Sequence, residues 1–78
     1  MDYPIDYSMY SVDEIDFLIQ FFHQVEQAKH KKIDKETFQK NYQTFRSIIR
    51  NIAEEKRIDK AWYKISGVSI YKLAQSFK

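Results

Sequence analysis

No cysteine occurs anywhere in the 78 residues. That absence removes a disulfide framework, a dithiol redox pair and cysteine-rich zinc sites. Glycine and proline occur once each, which leaves no Gly-rich phosphate loop and no flexible linker. The longest uncharged run, residues 17–25, carries Gln20, His23 and Gln24. It falls far short of the about 20 apolar residues that cross a bilayer. The N-terminus is acidic and lacks the basic-then-apolar order of a secretion signal. The expectation is a cytoplasmic protein with no membrane segment. Histidine is scarce too: His23 and His30 stand seven apart, unlike the i, i+4 pair that holds zinc on one helix. No metal, cofactor or small-molecule ligand is implied.

Aromatic side chains are abundant, with six Phe, six Tyr and one Trp. Each buried ring removes roughly 150–250 Å² from water, which compensates for a chain near the lower size limit for an unstapled core. The net charge of +2 hides an asymmetry. Asp2, Asp6, Asp13, Glu14 and Asp16 precede the first cation, and all 13 Lys and Arg follow residue 16. Carboxylates in a first helical turn are favoured by the helix dipole, and the acidic start could also lie against the basic remainder.

Three helix-start boxes organise the chain: Ser11 to Glu14, Asp34 to Thr37 and Asn51 to Glu54. Each places a side-chain oxygen where it can accept from an unpaired backbone N–H. In the first and third, a glutamate three residues on can reach back to the cap. Residues 1–10 read as an extended arm, because the residue before Pro4 avoids the α region. Helices are expected at about 12–29, 35–50, 52–66 and 70–77, with Tyr10 and Ile33 placed to staple onto Ile15 and Phe38. Gly67 suits a left-handed helix end. A break near Arg50 and Asn51 is expected because the apolar phase of Phe38, Tyr42, Phe45 and Ile49 fails at Lys56 and Asp59. A new stripe then starts with Ile58, Ala61, Trp62 and Ile65. No stretch alternates as a strand does. The fold class is all-α, a small three- to four-helix bundle with an N-terminal arm.

The first helix carries two apolar stripes. Ile15, Leu18, Ile19, Phe22 and Val25 form one, and Phe17, Phe21 and Ala28 the other. Together they span about 200°, against about 100° for an ordinary surface helix. Such a helix must be covered on two sides, either as the central element of the fold or by another chain.

The ordered set Tyr3-Pro4-Ile5-Asp6, Phe21-Phe22, Val25-Glu26, Tyr42 with Phe45-Arg46, Ala53-Glu54-Glu55-Lys56, and Ser66-Gly67 with Ser69 and Tyr71-Lys72 resembles the YktA-like family. These are small helical cytosolic proteins of low-GC Gram-positive bacteria. The resemblance implies a compact helical fold and supplies no catalytic residues. The chain departs from the family pattern with Arg50 where a proline is usual, Lys32 where a glycine often follows the first helix, and an arm one residue longer that brings Tyr10 near the usual tryptophan.

No catalytic set assembles from the sequence. The serines occupy mostly cap and turn positions, and the pairs Asp13-Glu14 and Glu54-Glu55 point about 100° apart on their helices. No enzyme is expected. Two surfaces remain. Tyr3, Tyr7, Phe17 and Phe21 are the candidate protein interface, since aromatics are enriched at such sites; the alternative is that the arm folds back over those phenylalanines within one chain. Lys56, Arg57, Lys60 and Lys64 form a basic face on the third helix that could neutralise phosphates or simply be solvated. The expected function is protein–protein interaction or regulation, including self-association as a homodimer. The alternative is weak nucleic-acid binding.

Overall fold

A computed structural model describes residues 3–77; Asp2 of the acidic start and the first two residues of the expected arm lie outside them. The described residues form a short 3-10 turn, Tyr7–Met9, and four α-helices: α1 Val12–Gln27, α2 Lys35–Ile49, α3 Ile52–Ser66 and α4 Ile70–Ser76. The architecture is all-α.

Side-chain caps start the helices. Ser11 accepts from the Glu14 N–H while Glu14 reaches back to the Ser11 N–H at 2.9 Å, a full capping box. Asp34 accepts from both the N–H and the hydroxyl of Thr37. Asn51 accepts from the Glu54 N–H, but the reciprocal bond expected there is absent. Glu54 instead takes a two-pronged contact from Arg57, one turn on.

Helix ends differ more from expectation. The α-pattern of α1 stops at Gln27, not Lys29, and the chain continues in i→i−3 hydrogen bonds through His30. After Val25 no fully buried side chain anchors another α-turn. Arg50 ends α2 in the left-handed region, φ 61°, donating its N–H to the Arg46 carbonyl. Gly67 does the same for α3 at φ 80°, where a side chain on Cβ costs about 1 kcal/mol or more. The arm is not wholly extended. Asp6 accepts from the N–H and hydroxyl of Ser8 and winds residues 7–9 into the 3-10 turn.

The core is an aromatic spine. Phe21 stacks on Phe45 at 5.0 Å between centroids and on Phe38 at 5.9 Å, and Phe38 meets Phe77 at 5.2 Å. On the other flank Phe22 packs on Trp62 at 4.8 Å, and Tyr3 lies over both, at 5.8 Å from Phe22 and 5.9 Å from Trp62. The two stripes of α1 are therefore covered within one chain, the Phe21 side by α2 and the Phe22 side by the arm and α3. The hub is α2, which packs against all three other helices. The central position expected for α1 is not needed, because the arm supplies its second cover. In α3 the core stripe runs Ile58, Trp62, Ser66. Ile65, expected inside, is exposed. The buried Ser66 hydroxyl donates to the Trp62 carbonyl and accepts from the Val68 N–H, which satisfies this polar group inside the core.

Candidate functional site

The aromatic candidates separate. Phe21 is fully buried, Phe17 is half-buried and stacked on it at 6.2 Å, and Tyr3 is half-buried beneath its own chain's contacts. Phe21 therefore cannot contribute to a surface between chains, a correction to its candidacy. Tyr3 is held in place by its rings and by a 2.8 Å hydrogen bond between its hydroxyl and His23 Nε2. Only Tyr7 stands exposed.

The basic face is also reduced. Arg57 gives Nε and Nη2 to the two oxygens of Glu54, the latter at 3.0 Å. This bond holds the Glu54 carboxyl below its ordinary range and raises the guanidinium. Paired in this way, Arg57 drops out of the free positive surface. Lys56, Lys60 and Lys64 remain, all exposed and spaced one turn apart along α3. Among the described residues no carboxylate lies within 4.0 Å of their ammonium groups.

Two of those lysines rim a groove of about 790 Å³ between α2, α3 and α4. Its floor holds the buried side chains Phe45, Ile70 and Ala74. Its rim presents three large apolar side chains to solvent: Ile52 at 63% exposure, Tyr63 at 53% and Tyr71 at 58%. Lys56, Lys60 and Lys72 stand among them. Ile52, Lys56, Asp59 and Tyr63 follow at steps of four, three and four, one narrow face of α3 beside the core stripe.

Asp59, Ser69, Glu55 and Arg46 are committed to holding the groove. Asp59 grips the start of α4. It accepts from the Ser69 hydroxyl at 3.0 Å, the Ile70 N–H at 2.6 Å and, more weakly, the Tyr71 N–H at 3.4 Å. Ser69 in turn accepts from the Lys72 N–H. Glu55 pairs with Arg46 at 3.2 Å, and the Arg46 guanidinium sits 5.8 Å from the centre of the Tyr42 ring. Burial pushes the Tyr42 hydroxyl up, against the pull of Arg46. The result is an apolar trough with fixed walls, a positive rim and no uncommitted carboxylate.

Sequence reasoning missed Ile52, Tyr63 and Tyr71. The signal was present in the second stripe on the third helix, hidden because Lys56 and Asp59 were read as a failure of the preceding helix's phase. Among the described residues no three His, Cys, Asp or Glu side chains gather as metal ligands, and no helix is long and apolar enough to cross a membrane.

Comparison with known proteins places the chain. The model of Uncharacterised protein family (UPF0223) matches residues 1–78. The chain is 40% identical over 76 residues to a UPF0223 protein of Bacillus cytotoxicus, covering 97% of this chain and 84% of the relative. It is 36% identical over 77 residues to a UPF0223 protein of Streptococcus uberis, with 99% and 83% covered. No solved structure matches it. With a family model spanning its whole length and relatives in two low-GC Gram-positive genera, the chain belongs to the UPF0223 family.

Proposed function

We propose that this protein is a cytoplasmic, non-enzymatic protein-interaction module that works through the groove between α2, α3 and α4. The observation that carries this reading is the gathering of Ile52, Tyr63 and Tyr71 around a floor of Phe45, Ile70 and Ala74. Isolated exposed apolar residues need no explanation, but several on one concave face mark a contact surface. Tyrosine suits such a face because its ring tolerates water when free and buries large area when bound. The polar groups support docking more than chemistry, since Asp59, Ser69 and Glu55 are each engaged in capping or pairing. A general base needs a lone pair free to take a proton from a substrate.

Photo-crosslinking amino acids placed at Tyr63 and at Tyr71, with the exposed Gln43, which does not line the groove, as a control, test the reading in the cell that encodes the protein. Discrete covalent adducts are expected from the two groove positions, lost on Lys60→Glu, and none from Gln43. Absence of adducts at both groove positions overturns it.

Nucleic-acid binding is the second reading, favoured by the row Lys56, Lys60 and Lys64, which has no ion pair among the described residues. Contacts would be to backbone phosphates and strongly salt-dependent. A gel shift at low salt that survives Lys60→Glu with Lys64→Glu removes this reading.

A further inference from the structure

We propose that the groove's occupant is a second copy of this chain, which enters it with its acidic front, residues 6–16. This rests on the groove being a docking face and names its partner. The front is the chemical complement of the groove. It exposes Tyr7, Met9 at 62% and Val12 at 83%. Beside them stand the exposed carboxylates Asp6, Asp13 and Asp16, and no Lys or Arg precedes Lys29. The groove exposes Ile52, Tyr63 and Tyr71 between Lys56, Lys60 and Lys72. Among the described residues neither the front's carboxylates nor those lysines form an ion pair within their own chain. Apolar area and opposite charge thus meet together in the one pairing, which is what steers and orients a contact.

Both surfaces are preorganised, so little ordering entropy opposes the contact. The Asp6–Ser8 bonds fix the 3-10 turn, and the Ser11–Glu14 box fixes the start of α1. Asp59 and Ser69 fix the wall formed by α4.

The contact is intermolecular by geometry. Pro4, Ile5, Asp6 and Met9 lie beside Glu54 and Arg57. At 100° per residue those two positions stand about 130–170° around α3 from the Ile52, Lys56, Asp59 and Tyr63 face. A chain therefore holds its own front and groove on opposite sides of α3. Front-to-groove contact is head-to-tail, so each added copy leaves a free front and a free groove. Assembly then continues past two chains or closes as a ring.

Two variants test this by sedimentation equilibrium at high micromolar concentration, with helicity checked by circular dichroism. One is altered in the front, Tyr7→Lys with Val12→Lys, and the other in the groove, Lys60→Glu with Tyr63→Ser. Each alone is expected to sediment as the 9.5 kDa monomer. An equimolar mixture, which retains one working front and one working groove, is expected to form a pair of chains and nothing larger. The wild type is expected to exceed a pair or form a closed ring, and its association should weaken roughly tenfold between low salt and about 0.5 M. Should either double variant lose helicity, Val12→Lys and Tyr63→Ser alone, both at exposed positions, carry the same experiment. A wild type that stays monomeric at low salt overturns the proposal, as does a mixture no heavier than its components. If that happens while groove crosslinks to another protein persist, docking at the groove stands and self-assembly is discarded.

Discussion

Trp62 and Tyr63 are neighbours on α3 with opposite fates. The Trp62 ring is fully buried, packed on Phe22 and roofed by Tyr3. The Tyr63 ring turns onto the groove and is half in water. The arm makes the difference, since Tyr3 and Ile5 close one side of α3 and α4 leaves a trough on the other. The residue types follow. The closed side gathers Trp62, Phe22, Ile5 and the Tyr3 roof, where burial outweighs the cost of leaving the Trp62 Nε1–H without a hydrogen-bond partner among the described residues. The open side carries Ile52 beside Tyr63, Tyr71 and the lysines; the tyrosines and lysines, with apolar bodies and polar tips, suit a surface that alternates between wet and covered. Two surfaces rich in aromatics therefore need different explanations. The closed one is the chain completing its own core, and the open one is available to something else.

The largest effect should separate the two sides directly. Trp62→Ala is expected to cost about 3–5 kcal/mol in urea denaturation, and Tyr63→Ala at most about 0.5 kcal/mol. Equal losses would break the comparison. Next comes the roof. Tyr3→Ala should lose about 2 kcal/mol through its two ring contacts and shift Trp62 fluorescence to the red. Tyr3→Phe keeps the rings, loses only the exposed bond to His23, and should cost about 0.5 kcal/mol. Asp59→Ala removes the acceptor at the start of α4 and should cost about 1–2 kcal/mol. Hydrogen exchange should accelerate in α4 first, because the groove wall hangs on that carboxylate.

A smaller pair of opposite sign concerns the ends of α2 and α3. Gly67→Ala should lose about 1 kcal/mol and Arg50→Gly should gain a similar amount, since both positions are left-handed. The smallest effect is in acid. Asp6 and Asp34 are held below their ordinary values by the hydroxyls and N–H groups of Ser8 and Thr37, and Glu54 by Arg57. The folded state thus binds fewer protons than the unfolded one as these groups titrate. Their contribution is fully present at neutral pH, declines below about pH 4 and is gone below the lowered folded values. Asp6 and Asp34 are exposed and Glu54 is only partly buried, so Glu54→Gln should blunt the acid limb of a thermal melt only slightly.

Much of the fold was legible because helix starts are local. Ser11, Asp34, Asn51 and Ser69 each act within three residues of themselves. The break at Arg50 was legible for the same reason, through the loss of apolar phase. What escaped depends on distant partners. Asp59 looks misplaced within its own helix and makes sense only beside Ser69 and Ile70, which belong to the next one. The third capping box failed because Arg57 competed for Glu54 and won with two hydrogen bonds. The two stripes of α1 demanded two covers, but nothing local says whether the cover is an arm or another chain. Tyr3 decided it through rings far along the sequence. The groove was hardest to see, because it belongs to three helices and to none of their periodicities alone.

The most direct test of one closed side and one open side is solvent paramagnetic relaxation of side-chain protons, using a neutral soluble gadolinium chelate on the dilute chain. Strong broadening is expected at Ile52, Tyr63 and Tyr71, with Tyr3, Phe22 and Trp62 protected. Broadening of Trp62 and Tyr3 to the level of Tyr63, or protection of Tyr63 and Tyr71 in the isolated monomer, would contradict it.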